Sequence, residues 1–178
     1  MPLDPNDAVD AIALGWKRER PGTPVDSIGV VTRLWQAAKF FGDDRTRLLR
    51  AAGADAATLD LLSTLRRAGP PYRMTTRDLA DTALITAGAI SQRLTRAEEQ
   101  GLVTRIPRGR GSRQVDVELT QAGHEVVENL VDNVLNREVH LLNVLDNEER
   151  DQLTQLLRKL LNGLQSELND AKPGHVGH

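Results

Sequence analysis

The most constraining feature of this chain is a change in the spacing of its apolar residues at Gly101. Before it, from Ala87 to Gln100, apolar residues recur every three or four positions, which predicts an amphipathic helix capped by Thr86. After it, apolar and polar residues alternate in 102–106 and again in 115–119, which predicts two strands. The chain must therefore place a helix directly before a small hairpin.

The hairpin tip and the segment before the helix further limit the folds that this chain can adopt. Residues 107–114 read Pro-Arg-Gly-Arg-Gly-Ser-Arg-Gln, which predicts a hairpin tip rich in glycine and arginine. A short helix is predicted from Thr76 to Thr82, with Thr75 as its N-cap. The order of short helix, turn, polar-faced helix and hairpin is that of a winged helix-turn-helix. We therefore predict a mainly α fold with a small β-hairpin wing.

Further helical patterns flank this lobe. The last helix, capped by Asp146, carries a wide leucine stripe that must be buried in a core or a subunit contact. The predicted organisation has four parts: residues 1–53 are N-terminal helices on the dimerisation and ligand-pocket side, 54–120 the winged helix-turn-helix lobe, 121–170 the C-terminal dimerisation helices and 171–178 a flexible tail.

Composition limits the function classes. The 178 residues contain no cysteine, which excludes disulfides, thiolate metal sites and cysteine nucleophiles. There is no Gly-x-Ser-x-Gly and no phosphate loop, so we expect neither an enzyme nor a cofactor. The N-terminus does not read as a secretory signal, and no run of apolar residues is long enough to span a membrane. We therefore expect a soluble, cytoplasmic protein.

Charge is unevenly distributed along the chain. The formal net charge is only −2, which by itself argues against a nucleic-acid partner. Residues 73–113, however, hold eight arginines against four acids, a balance of +4, whereas residues 116–170 have a balance of −8. A basic middle followed by acidic helices is typical of a DNA-binding lobe attached to an assembly module, although a solvated charged face gives the same pattern.

The candidate DNA contacts follow from groove dimensions. A helix fits the major groove, and an arginine-bearing hairpin suits the narrower minor groove. The predicted helix has a face of small, polar residues. This face is either a DNA-contacting surface or an ordinary solvated one. We expect base contacts from Thr86, Ala87, Gly88, Ser91, Gln92 and Thr95, phosphate contacts from Thr75, Thr76, Arg77, Arg96 and Arg105, and wing contacts from Arg108, Arg110 and Arg113.

Several segments in this order resemble the MarR (multiple antibiotic resistance regulator) family. They are residues 66–75 with 78–80, 86–94 with 98–103, and 115–123, and the likeness extends from 27 to 168. The resemblance implies a ligand-released repressor, a homodimer joined by its terminal helices that binds a near-palindromic operator. The family's wing carries Asp-Arg-Arg where this chain has Gly111, Ser112 and Arg113, which leaves Arg108 or Arg110 as alternative contacts.

The sequence constrains least the residues that would bind an effector and so release the protein from DNA. Some proteins that resemble this family respond to urate or related phenolic anions through a Trp on an added N-terminal helix, with an Asp and an Arg deeper in the fold. Trp16, Asp60 and Arg93 stand at matching spacings, although Trp16 could simply anchor its helix and Asp60 and Arg93 form a salt bridge. A metal-responsive regulator, with His124 and Glu128 at a subunit seam, and a winged-helix interaction dimer without sequence-specific DNA binding are the alternatives.

Overall fold

The computed structural model describes residues 7–108 and 115–168 and confirms the mainly helical fold with a small sheet. The predicted tail at 171–178 and most of the hairpin tip lie outside the described residues. The described elements are α1 (Ala8–Glu19), α2 (Ile28–Ala51), α3 (Ala56–Arg67), β1 (Arg73–Thr75), α4 (Thr76–Ala83), α5 (Ala87–Glu99), β2 (Val103–Pro107), β3 (Val115–Leu119), α6 (Gln121–Leu141), a 3-10 turn (Leu142–Val144) and α7 (Asn147–Glu167).

The described residues divide into two compact units, and the boundary between them falls after residue 44, inside α2. In the first unit, Asp7 caps α1 by accepting hydrogen bonds from the amides of Val9 and Asp10. Arg33 of α2 donates its Nη2 to carboxylate oxygens of Asp7 and Asp10, at 2.7 and 2.9 Å. The hydrogen bond from Arg33 also holds the pKa of Asp7 below its ordinary value. This ion-pair cluster therefore fixes the N-terminus of α1 to α2.

The core of the second unit is aliphatic and lies among α3, α4, α5 and the sheet. Leu62 and Leu65 of α3, Leu79 of α4 and Leu94 of α5 are almost fully buried against Val117 of the central strand. The apolar side of the amphipathic helix α5 is buried, as the sequence predicts. This packing places the opposite, polar face of α5 in solvent.

The sheet has three antiparallel strands in the order β1-β3-β2. The predicted strands are β2 and β3, with Arg105 opposite Val117. The third strand, β1, was not predicted from the sequence, because three residues are too short to establish an alternating pattern. It pairs Met74 with Val117 and connects the end of α3 to the cap of α4.

The start of α6 is held tightly against the beginning of the wing. Thr120 donates its amide to the carbonyl of Leu102 at 3.1 Å, and its hydroxyl donates to the carbonyl of Gly101 at 2.7 Å. A Cβ at Gly123 would lie 2.0 Å from the Leu102 carbonyl oxygen, so only glycine permits this approach.

The final helix, α7, begins with the predicted capping box of Asp146 and Glu149. Its leucine stripe is largely exposed in the single chain, with Leu156 65% and Leu168 63% accessible. Among the described helices, none combines the length and the apolar character needed to cross a membrane.

Candidate nucleic-acid interface

Two threonines build the helix-turn-helix, each in the predicted cap position. The Thr75 hydroxyl accepts a hydrogen bond from the amide of Asp78 at 3.0 Å and begins α4. Leu84 adopts a left-handed conformation, with φ of 52°, and ends α4. The Thr86 hydroxyl then accepts from the amide of Ala89 at 3.2 Å and begins α5. The turn between the two helices is therefore residues 84–86.

The face of α5 predicted to contact bases is exposed along its whole length. Gly88 does not serve packing, because an added Cβ would meet nothing closer than the Thr86 hydroxyl at 4.0 Å. The absence of a side chain there lets the helix backbone come close to another surface. The exposed residues of this face are Thr86, Ala87, Gly88, Ser91, Gln92 and Thr95.

Arg105 connects strand β2 to this helix. Its Nη2 donates to the Thr95 hydroxyl at 3.0 Å and to the Ser91 carbonyl at 3.3 Å. Its Nε lies 3.4 Å from a carboxylate oxygen of Glu98. The guanidinium, expected to contact phosphate, is thus half-buried against one edge of α5.

Arg96 and Arg77, two further expected phosphate contacts, are both exposed. Arg96 donates to Asp55 at 2.9 Å. Burial alone would raise the pKa of Asp55, but the hydrogen bonds from Thr58 and the charge of Arg96 hold it below its ordinary value. Arg77 lies 3.8 Å from Asp81 and is almost fully accessible. Neither arginine is enclosed by the fold.

The base of the wing contains an acid that the sequence analysis missed. Asp116 is only 6% exposed, although the alternating pattern placed it on the solvent side of β3. Arg108 donates its Nε to Asp116 at 2.7 Å, and this hydrogen bond raises the pKa of Arg108. The pair braces the base of the wing. The predicted wing contacts Arg110 and Arg113 lie outside the described residues, as does the Gly111-Ser112 departure.

A cavity of about 590 Å³ lies between α3 and α6, away from the polar face of α5. Its wall includes Leu59, Val131 and Leu135. Arg45 borders it, and the Arg45 Nε is buried without a hydrogen-bond partner. Arg66 also borders it, donating to Glu128 at 2.9 Å. This cavity was not predicted from the sequence. The one sequence feature that could have indicated it is the Arg66-Arg67 pair at the end of α3.

The predicted sensing residues lie on three helices, α1, α3 and α5. Trp16 is 51% exposed on α1 of the first unit. In the second unit, Asp60 is buried on α3, and Arg93 borders a cavity of about 210 Å³ between α3 and α5. His124, the candidate metal ligand, packs edge-on against Tyr72 with ring centres 4.6 Å apart. Within 7–108 and 115–168, no three His, Asp or Glu side chains converge as a metal site would require.

The order of α4, turn, α5 and hairpin, with its polar helix face exposed, defines a winged helix-turn-helix. A protein-family model described as MarR family matches residues 53–114. The HTH-type transcriptional regulator PecS of Dickeya dadantii (strain 3937) is 26% identical over 152 residues, which span 85% of this chain and 92% of PecS.

Solved structures share the fold. NadR in complex with 4-hydroxyphenylacetate is 27% identical, with a TM-score of 0.56, over 74% of this chain and 91% of NadR. A mutant MarR from E. coli complexed with operator DNA has a TM-score of 0.61 over 82% of this chain and 97% of MarR; at 24% identity it shows the fold alone. Residues 53–114 therefore resemble the MarR family, and the chain is similar to the transcriptional regulator PecS over most of its length.

Proposed function

We propose that this regulator is a cytoplasmic repressor that binds a near-palindromic operator as a homodimer and is released by a small aromatic anion. The observation that carries the DNA-binding proposal is the exposed polar face of α5, whose only interior glycine, Gly88, has no packing role. A small, polar helix face allows close approach to base edges in the major groove and still offers hydrogen bonds.

The proposed contacts divide into base and phosphate contacts. Residues on α5 would lie near bases, because a recognition helix reads the groove with its exposed N-terminal and central turns. Threonine hydroxyls and arginines at the helix starts and on the wing would fix the register on the backbone. The base set is Thr86, Ala87, Gly88, Ser91, Gln92 and Thr95; the backbone set is Thr75, Thr76, Arg77, Arg96 and Arg105, with Arg108, Arg110 and Arg113 on the wing.

Exposed apolar surface supports the homodimer. In the second unit, the leucine stripe of α7 faces solvent in the single chain. In the first unit, Trp35 and Phe40 of α2 are 76% and 74% exposed. Large apolar patches of this kind mark interaction sites. Two-fold pairing through these helices would place two copies of α5 about one DNA turn apart.

The α3–α6 cavity supports an organic anion as effector. Its wall combines aliphatic side chains with three arginines, Arg45, Arg66 and Arg67, and three acids, Glu128, Asp132 and Glu138. The Nε of Arg45, which has no hydrogen-bond partner, would gain one from a carboxylate. The relative NadR was solved with 4-hydroxyphenylacetate, an aromatic carboxylate. Trp16, Asp60 and Arg93 form the alternative effector site predicted from the sequence. In either site, a ligand that favours a lobe spacing unsuited to the operator would lower operator affinity.

A mobility-shift assay tests the DNA-binding proposal. The probe is the duplex that flanks the protein's own gene, with a shuffled duplex of equal length as control. We expect tighter binding to the flanking duplex and a steep loss of affinity with salt. Equal affinity for both duplexes would favour the alternative, a winged-helix interaction dimer without sequence-specific DNA binding.

Ligand titration followed by tryptophan fluorescence tests the effector proposal. The panel is salicylate, protocatechuate, urate and 4-hydroxyphenylacetate, and an active compound should also release the operator. Arg45→Met and Arg93→Met distinguish the two sites, since each removes a cation from one cavity only. Absence of any fluorescence change and of any release across the panel would contradict the proposed ligand class.

A further inference from the structure

The hydroxyl of Thr95 has an unusual set of neighbours for an exposed side chain. It donates to the carbonyl of Ser91, one turn earlier in α5, at 3.0 Å. It also accepts from Nη2 of Arg105, on strand β2, at 3.0 Å. Thr95 remains exposed on the face of α5 that we propose enters the major groove. Two of its hydrogen-bonding positions are therefore used inside the protein.

Counting donors and acceptors shows what remains for a ligand. A hydroxyl has one hydrogen to donate and two lone pairs to accept with. The hydrogen of Thr95 is directed to Ser91, and one lone pair is taken by Arg105. One lone pair is left, so Thr95 presents an acceptor and no donor to the groove.

Arg105 keeps the Thr95 hydroxyl in this orientation. A guanidinium carries only donors and stays protonated in proteins, so it cannot accept the Thr95 hydrogen. Its position is fixed on one side by β2, where Arg105 pairs with Val117, and on the other by Glu98, 3.4 Å from Nε. Rotation of the Thr95 hydroxyl toward Arg105 would point its hydrogen at a cation, and rotation toward the groove would break its hydrogen bond to the Ser91 carbonyl and turn a lone pair toward that oxygen. The hydroxyl therefore keeps the orientation that leaves an acceptor outward.

We infer that Thr95 selects adenine or cytosine at one operator position by accepting a hydrogen bond, and that Arg105 is the positioning residue that sets this polarity. In the major groove, the exocyclic amino groups of adenine and cytosine donate, whereas the edges of guanine and thymine offer only acceptors to a hydroxyl. Phosphate oxygens also only accept, so Thr95 contacts a base rather than the backbone. This inference rests on the proposed function, since it requires that α5 reads DNA.

Selection of binding sites from a pool of random duplexes tests the inference. The full-length wild-type protein is compared with Thr95→Val, which keeps the shape and removes the acceptor, and with Thr95→Ser, which keeps the hydroxyl. Wild type and Thr95→Ser should enrich adenine or cytosine at the same position of each half-site, by about fivefold over guanine or thymine. Thr95→Val should lose this preference and keep the preferences at all other positions.

Two substitutions at Arg105 test the positioning role. Arg105→Met removes the donor together with the phosphate contact proposed for this arginine, so affinity for all duplexes should fall. The Thr95 hydroxyl is then free to rotate, and guanine or thymine should be tolerated at that one position. Arg105→Lys still donates and should retain the adenine or cytosine preference, which also controls for loss of folding in the methionine variant. A direct readout replaces the selected adenine by purine, or the selected cytosine by its analogue lacking the amino group; affinity should fall about fivefold for wild type and stay unchanged for Thr95→Val.

The outcomes separate the inference from the proposal on which it rests. If the wild-type protein enriches no sequence, the proposed function is overturned, and the inference falls with it. If the wild type enriches an operator but Thr95→Val selects the same bases everywhere, the operator-binding proposal stands and the inference is wrong. An equal loss of affinity of Thr95→Val for all duplexes, including random ones, would identify a backbone contact and likewise overturn it.

Discussion

The substitution Gly88→Ala separates stability from DNA affinity, because the structure predicts opposite effects on the two. Gly88 lies in the first turn of α5, in a regular helical conformation, and the added methyl group would meet only the Thr86 hydroxyl, 4.0 Å away. No strain opposes the change. An alanine in a helix is favoured over glycine by about 0.5–1 kcal/mol, so the free energy of unfolding should rise by roughly that amount.

The effect on DNA binding should have the opposite sign. If the α5 backbone approaches the bases at Gly88, a methyl group would have to fit into a closely packed contact, and such overpacking costs about 1–3 kcal/mol. Affinity for each half-site should therefore fall roughly 5- to 150-fold, although the protein is more stable. Urea unfolding measures the first effect and a salt-matched mobility shift the second.

A matched control is Gly163→Ala in α7, where an added Cβ meets nothing within 4 Å. It should give a similar gain in helix stability away from the DNA-contacting face of α5. Because α7 is also a proposed dimer helix, sedimentation should first show that the Gly163→Ala dimer is intact, and operator affinity should then be unchanged. The close-approach explanation for Gly88 is refuted if Gly88→Ala raises stability and binds the operator as tightly as the wild type does.

Three further predictions concern the rest of the lobe. Gly123→Ala should lower the free energy of unfolding by about 1–3 kcal/mol in urea, because its Cβ would lie 2.0 Å from the Leu102 carbonyl oxygen and the wing must shift. Because the folded-state pKa of Asp55 is lowered, its stabilising contribution is present above about pH 4 and is lost as the pH falls through the folded value. The difference in Tm between wild type and Asp55→Asn should accordingly close on acidification, and a constant difference would contradict this. Arg77→Ala removes one phosphate contact from each subunit of the proposed homodimer, so it should reduce the slope of log affinity against log salt by about 1.8, whereas an unchanged slope would remove Arg77 from the backbone set.

Much of the fold was predictable from local sequence signals. The threonine caps at Thr75 and Thr86 and the apolar stripe of α5 follow from side-chain chemistry and helical spacing, and the structure confirms them. Strand β1 could not be predicted, because its formation depends on pairing with β3, more than forty residues later in the chain, and not on its own three residues. The same holds for the contact of Gly123 with Leu102, which only the packed lobe reveals.

The candidate interface was less predictable than the fold, because sequence patterns do not show which side chains pair with one another. An alternating strand pattern assigns Asp116 to solvent, yet Asp116 is buried in the central strand of the sheet and Arg108 satisfies its carboxylate. The α3–α6 cavity depends on the separation between two helices, a quantity that hydrophobic spacing does not specify. Sequence patterns thus located the polar face of α5 but could not show which arginines already have partners.

The carboxylate partners of the arginines determine which of these arginines are available to bind DNA. The positive balance of residues 73–113 treats all arginines alike, but their carboxylate partners differ in exposure. The pair of Arg96 with Asp55 is exposed on both sides, and such pairs contribute about 0–1 kcal/mol, so Arg96 can exchange its partner for a phosphate at little cost. The pair of Arg108 with the buried Asp116 cannot do so as easily, because withdrawal of the guanidinium would leave a buried carboxylate unpaired. Electrostatic attraction to the backbone should therefore come mainly from exposed arginines such as Arg77 and Arg96, while Arg108 fixes the base of the wing.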